Sequence, residues 1–180
     1  MEAIDHLDLV VISLERSLAF YQGLLGPLGY VHAGEIKGER GERVVYLSRH
    51  GGGGSLSLRE SQSSAHPTPY DRYAVGLHHV AFAASSRAHV DERASWLREQ
   101  GAEIESAPRE YDYTPGYYAV FLHDPDGLKL EIVHRPAERD LAQRVQELET
   151  RLERLASDAS RSSATRRART RVTPGRAADR

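Results

Sequence analysis

Apolar and polar positions along this chain fall into two series of the same kind. In the first, residues 4–12 read as a strand, and Leu14, Leu18, Tyr21 and Leu25 then recur at helical spacing behind Ser13, a good N-cap residue. That predicts a helix over Leu14 to Leu25, followed by strands near 30–36, 43–49 and 55–60. In the second, a strand over 77–84 precedes a helix from about Arg87 to Gln100, capped by Ser85 or Ser86 and ended by Gly101. Strands are predicted near 103–107, 116–123 and 128–134, with the turn Asp124-Pro125-Asp126-Gly127 between the last two. Residues 61–75, rich in serine with two prolines, read as a linker.

The two series coincide when the chain is slid against itself by 73 residues. Ile4 to Val10 then falls on Leu77 to Ala83, and Ser55 to Leu58 on Leu128 to Glu131. The implied fold class is α+β: two tandem βαβββ modules, residues 3–60 and 77–135, forming a half-open barrel within a domain over 1–136.

Beyond Pro136 the pattern changes. Leu141, Val145, Leu148, Leu152 and Leu155 step by 4 and 3 along an amphipathic helix over 137–156. Such a stripe either packs back on its own domain or pairs with a second copy to aid a homodimer, and the pattern leaves both open. Residues 157–180 are predicted to be a disordered basic tail of net charge +5, which leaves −7 for residues 1–156. An acidic body of this kind argues against a nucleic-acid-binding domain. The absence of cysteine excludes disulfides and thiolate chemistry. With neither a basic-then-apolar leader nor a run approaching a bilayer span, a cytoplasmic location and no membrane partner are expected.

Candidate chemistry centres on adjacent histidines, His78 and His79. In a strand, neighbouring side chains point to opposite faces, so only one can share a given cavity. The 73-residue shift pairs His79 with His6, each opening its module, whereas His78 pairs with Asp5. His78 is therefore expected to face outward. Glu131, flanked by Leu130 and Ile132 in the last strand, is a lone carboxylate in an apolar setting, which is costly unless paired or metal-bound. Two imidazoles and one carboxylate make a facial triad with open positions for substrate, a catalytic rather than structural metal arrangement.

Asp5-His6-Leu7, Phe20-Tyr21 with Leu25-Gly26, His78-His79-Val80-Ala81-Phe82, and Asp124-Pro125-Asp126-Gly127 followed by Leu130-Glu131 together resemble the vicinal oxygen chelate superfamily. That superfamily includes glyoxalase I, fosfomycin-resistance transferases, extradiol dioxygenases and bleomycin-resistance proteins. The resemblance covers residues 3 to about 136 and implies His6, His79 and Glu131 as ligands of one divalent ion: Fe2+, Mn2+, Ni2+ or Zn2+. Some members add a fourth ligand from the last strand of the first module. The spacing from His79 to Glu131, applied to His6, lands there on Leu58, which cannot bind metal; a local shift could bring in Glu60. Asp8, two residues from His6, is expected in the cavity as a base or a partner of a ligand. If the turn pairs Tyr118 with Val133, Tyr118 also faces the cavity, and Tyr111 to Tyr118 form an aromatic lid. The histidines His50 and His123 are placed at the rim.

The function these readings imply is a metal-dependent enzyme acting on a small oxygen-rich substrate chelated by the ion, as a lyase, an isomerase or an extradiol-type ring-cleaving enzyme. The alternatives are a metal-free antibiotic-sequestering protein of the bleomycin-resistance type and an interaction module using the terminal helix.

Overall fold

The computed structural model describes residues 4–49, 51–52, 54–63, 70–137, 142 and 145–156. The basic stretch 157–180, His50, His66 and Leu141 lie outside them. The elements run β1 (His6–Val11), α1 (Leu14–Leu25), a short 3-10 turn (Gly26–Leu28), β2 (Tyr30–Lys37), β3 (Arg43–Arg49) and β4 (Ser55–Glu60). The second series is β5 (Val80–Ala83), α2 (Arg87–Glu99), β6 (Ile104–Glu110), β7 (Tyr118–His123) and β8 (Lys129–His134). A last helix, α3, covers 145–156. The chain divides after Arg135.

Each module folds into its own four-stranded sheet, in the orders β1-β4-β3-β2 and β5-β8-β7-β6. In both, the first strand pairs in parallel with the last, and the remaining pairs are antiparallel. Neither sheet closes, so the α+β architecture is half-open as the repeat implies. The helices begin where their serines predict: Ser13 Oγ accepts from the Arg16 N–H and Ser86 Oγ from the His89 N–H.

Alternation along β1 sends Leu9 and Val11 inward and leaves His6, Asp8 and Val10 exposed on the other face. Leu9, Leu56 and Leu58 of the first sheet share one core with Phe82, Leu130 and Ile132 of the second. Both helices add to that core through Leu24, Leu25, Val90 and Leu97. One face of each sheet is thus covered by helix, and on the opposite face of the second sheet Ala119, Phe121 and Val133 pack against Tyr111 and Tyr117. The helices approach closely at Gly23, where an added β-carbon would lie 2.3 Å from Cζ2 of Trp96. Arg93 of α2 donates there to the Gly23 carbonyl at 3.1 Å.

The turn of the second module grips the helix of the first. Asp124 is 6% exposed, and its Oδ2 accepts from the fully buried Tyr21 hydroxyl at 2.8 Å. Its Oδ1 accepts from the N–H groups of Asp126 and Leu128, folding the turn around it. Burial pushes the Asp124 carboxyl above its ordinary value, against these hydrogen bonds. Asp126 accepts from the Ile12 N–H at 2.7 Å and pairs with Arg16, fixing the entry to α1.

Registers differ from the 73-residue shift in one consequential place. Ala81 pairs with Glu131, and Asp8, the counterpart of Ala81, pairs with Ser57. The first module is therefore one residue shorter between its first and last strands. Ser57, not Leu58, occupies the position equivalent to Glu131, and Leu58 is core. Because strand side chains alternate, this single deletion exchanges an apolar core residue for a buried hydroxyl on the open face.

Two substitutions probe the helix interface. Tyr21→Phe strips a donor from the buried Asp124 and is expected to lower unfolding free energy by about 1–3 kcal/mol. Gly23→Ala forces a methyl into Trp96, at a cost of about 1–3 kcal/mol. Urea denaturation of each variant checks both, and unchanged midpoints would refute the interlock.

Candidate active site

Glu131 sits in β8 with Ala81 on one side and Phe121 on the other, at the centre of the second sheet's open face. It is 1% exposed. An ionised carboxylate there demands partners, and it has two. The Tyr117 hydroxyl donates to Oε1 at 2.5 Å, and His79 Nε2 lies 3.2 Å from Oε2. Burial, followed by the bond to Glu131, pushes the Tyr117 phenol well above its ordinary value, so it remains a donor across the physiological range.

His79 immediately precedes β5 and sits edge-on to Phe121. Its Nδ1 lies 2.8 Å from Nδ1 of His78, so one of these nitrogens carries the shared proton. His78 consequently does not face away from the site. The strand begins only at Val80, so the alternation expected over 77–84 does not govern residues 78 and 79, and both rings line one cleft. Burial and the neighbouring His79 lower the His78 pKa.

The donor pair fits a metal ion. Two cis ligands of an ion bound at about 2.1 Å stand about 3 Å apart, close to the 3.2 Å between His79 Nε2 and Glu131 Oε2. Among the described residues no three His, Asp or Glu side chains gather closely enough to hold an ion. His6, on the open face of the first sheet, lies 2.9 Å from Asp5 Oδ1, and that hydrogen bond raises its pKa. One chain brings His79 and Glu131 together and keeps His6 apart.

The cleft beside the pair has a volume of about 330 Å3. Its wall is aromatic. Tyr111 stacks on Tyr113 at 5.4 Å and meets Tyr117 and Phe121 edge-on. Lys129 lies over the Phe121 ring at 4.4 Å and Arg109 over Tyr111 at 4.5 Å. Lys129 is held by Glu105 at 2.6 Å, and Glu105 also receives Arg72 at 2.5 Å.

Other expected site residues sit differently. Asp8 keeps the face of His6, but its Oδ2 accepts from Arg59 at 2.6 Å, which makes it a poor free base. Tyr118 does not face the cleft: its hydroxyl donates to Asp91 of α2 at 2.8 Å, beneath Arg87. The cause is register, because Phe121 rather than Val120 stands opposite Glu131, and Tyr118 opposite His134. Parity then hands the cleft to Tyr117. Glu60 faces the start of α1, accepting from the Leu14 N–H at 3.5 Å, and is no substitute fourth ligand. His123, half-buried, lies 3.2 Å from Glu103 and 3.4 Å from Glu105.

The Glu105 pairing has a pH signature. Burial opposes its ionisation, but hydrogen bonds from Arg72 and Lys129 prevail and lower its pKa from 4.5 to about 2. Between those values the folded chain binds fewer protons at Glu105 than the unfolded chain, so the pairing's stabilisation is present above pH 4.5 and lost as pH falls towards 2. Glu105→Gln should lower stability at pH 6 and lose most of that deficit by pH 2.5. Chemical denaturation at both pH values checks this.

Comparison with known proteins extends the geometry. A family model described as the Glyoxalase/Bleomycin resistance protein/Dioxygenase superfamily matches residues 3–132. The uncharacterized protein YqjT of Bacillus subtilis (strain 168) is 32% identical over 130 residues, covering 71% of this chain and 95% of that protein. A crystal structure of a candidate glyoxalase from Bacillus halodurans superposes with a TM-score of 0.57 at 32% identity, covering 74% and 96% of the two chains. At the level of fold alone, the chain is similar to the fosfomycin resistance protein FosX from Listeria monocytogenes complexed with Mn(II) and sulfate. There the TM-score is 0.52 and the identity 19%, covering 78% of this chain and 98% of that one.

Proposed function

The chain belongs to the Glyoxalase/Bleomycin resistance protein/Dioxygenase superfamily, and on that footing we propose that it is a divalent-metal-dependent enzyme acting on a small, oxygen-rich molecule. The ion is held by His79 and Glu131 of one chain and by His6 of the partner subunit in a homodimer. The observation that carries this reading is the buried carboxylate of Glu131, 3.2 Å from an imidazole nitrogen on an otherwise open sheet face. The fold supports a second copy: both helices cover the same core, so the opposite sheet faces, which carry His6 and Glu131, are the ones turned towards another chain. The exposed stripe Val145, Leu148, Leu152 and Leu155 on α3 supports the same partner.

A divalent ion bound there supplies Lewis acidity towards adjacent substrate oxygens. The chain's own residues do the rest. Tyr117 holds one Glu131 oxygen, leaving the other directed at His79. His78 fixes the ring of His79 through the proton between their Nδ1 atoms. Phe121, Tyr111 and Tyr117 wall the cleft with apolar surface and limit water at the reacting atoms.

No carboxylate occupies the Ser57 position, and Asp8 is tied to Arg59. That disfavours a glyoxalase or epimerase mechanism needing a second protein base near the metal, and it favours chemistry, ring cleavage or a lyase or isomerase step without such a base, on a substrate that itself chelates the ion.

Elemental analysis after purification without chelator and reconstitution with Mn2+, Fe2+, Ni2+ or Zn2+ tests the reading. About one ion per chain is expected; less than about a fifth for every metal would overturn it in favour of a metal-free binding protein. His79→Ala should abolish uptake, and His78→Ala should weaken it about 10- to 100-fold by loosening the ring it orients. His6→Ala and His79→Ala chains should each fail alone and regain binding when mixed and refolded together. Failure of that mixture to bind would refute the shared site.

A further inference from the structure

The proton between His78 and His79 has one place to sit once the neighbours of the pair are counted. A neutral imidazole carries one N–H and one lone pair, whereas an ionised carboxylate only accepts. Glu131 Oε2 lies 3.2 Å from His79 Nε2, and the Tyr117 hydroxyl donates to its Oε1. Nε2 of His79 is therefore the protonated nitrogen, which leaves the lone pair on its Nδ1. That atom lies 2.8 Å from Nδ1 of His78, so His78 is the donor and keeps its own lone pair on Nε2. Each assignment forces the next.

Packing holds both rings in this arrangement. They meet edge-on, with centroids 5.0 Å apart and planes at 78°. Phe121 meets His79 edge-on at 6.1 Å, and Tyr73 meets His78 edge-on at 5.5 Å. The Arg72 guanidinium lies over the Tyr73 ring, and Glu105 of β6 holds Arg72 in turn at 2.5 Å. A ring turned over would set a carbon against its neighbour's nitrogen and give up the bond between them. The pair is thus a short wire with one end at Glu131. Its other end, Nε2 of His78, has no partner among the described residues. Both histidines line the cleft.

Resting on the metal-site reading above, we infer that His78 is a positioning residue whose hydrogen bond to His79 reverses direction when the site is loaded. A ligating His79 needs the lone pair of its Nε2, so its proton must be on Nδ1. Nδ1 then donates to His78, which accepts there and carries its own proton on Nε2. One proton leaves His79 Nε2 for solvent, the shared proton crosses between the Nδ1 atoms, and solvent returns one to His78 Nε2. The pair holds two protons before and after, so loading requires no net deprotonation of it. Within the cleft the result is a change of sign. Nε2 of His78 is an acceptor in the metal-free protein and a donor in the loaded one, where it suits a substrate oxygen. Only a side chain that can both donate and accept at the Nδ1 position serves both states.

Two measurements on the full chain at about pH 8, above the ordinary imidazole range, test this. Long-range proton–nitrogen correlation spectra of protein with isotope-labelled histidine tell an N–H nitrogen from a lone-pair nitrogen. The expected pattern in metal-free protein is Nδ1–H on His78 and Nε2–H on His79, and both should invert when Zn2+ is added. Titration of Zn2+ into two variants then separates the hydrogen bond from the packing. His78→Asn keeps a donor and an acceptor near the Nδ1 position and should hold the Kd within about threefold, whereas His78→Phe keeps the ring and should weaken it about 10- to 100-fold. Uptake of Zn2+ with an unchanged His78 tautomer, or equal affinity in the two variants, overturns the inference and leaves the metal-site reading standing. Failure to take up Zn2+ sinks that reading and the reversal with it. The metal-free spectrum is independent of uptake, and Nδ1–H on His79 there overturns the assignment from which the inference starts.

Discussion

The architecture of this chain hangs on one buried carboxylate, Asp124. It sits in the turn joining the last two strands of the second module, and it receives the hydroxyl of Tyr21 from the helix of the first. Its other oxygen takes the two N–H groups that close the turn. A group so placed is destabilising unless every partner is present, because a buried acceptor that loses its donor forfeits solvation without replacement. The geometry of the turn and the docking of the two modules are therefore one event. Asp126 extends the grip to the start of α1. With the modules locked through their helices, the two sheets keep their helix-covered faces on a common core and turn their other faces away from it, which is the condition for a site on those faces.

Glu131 is the second buried carboxylate, and its partners are of another kind. Asp124 is satisfied by groups with no chemistry to perform. Glu131 is satisfied by a phenol and an imidazole on an open face, where its second oxygen lies alongside a nitrogen lone pair or N–H. Neither partner is a guanidinium or ammonium group of the kind that holds Glu105. A divalent ion bound there would supply the opposite charge and would match the donor spacing. The contrast between the two acids separates a structural buried charge from a functional one more sharply than burial does.

Much of this was legible before any coordinates. Helix α1 lies where Ser13 and the Leu14, Leu18, Tyr21, Leu25 spacing put it, strands β3 and β4 match their predicted spans, and the turn at Asp124-Pro125-Asp126-Gly127 is where its residues demand. These are local signals, read from contiguous sequence. What failed was parity. Tyr118 was expected in the cleft and Tyr117 is there; Leu58 was expected opposite Glu131's position and Ser57 is there; His78 was expected to face outward and lines the cleft. Each error is a displacement of one residue, in pairing or in where a strand begins, and a one-residue displacement inverts every side chain. Register is fixed by hydrogen bonds between strands far apart in sequence, so periodicity names the two faces without saying which residue each holds.

A site divided between chains has thermodynamic consequences that a site within one chain lacks. Where His6 of the partner subunit supplies a ligand, the affinity for metal and the affinity between chains are linked, and each must strengthen the other by the same factor. The apolar stripe of α3 covers barely two heptads, too short to hold two chains together by itself. In the proposed homodimer it would raise the effective concentration of the second copy, so that a modest helix contact would strengthen metal binding by linkage alone. The exposed Val145, Leu148, Leu152 and Leu155 then need no strong interface of their own. In the proposed homodimer their contribution would be to bias an assembly held chiefly by the shared ion and by the sheet faces.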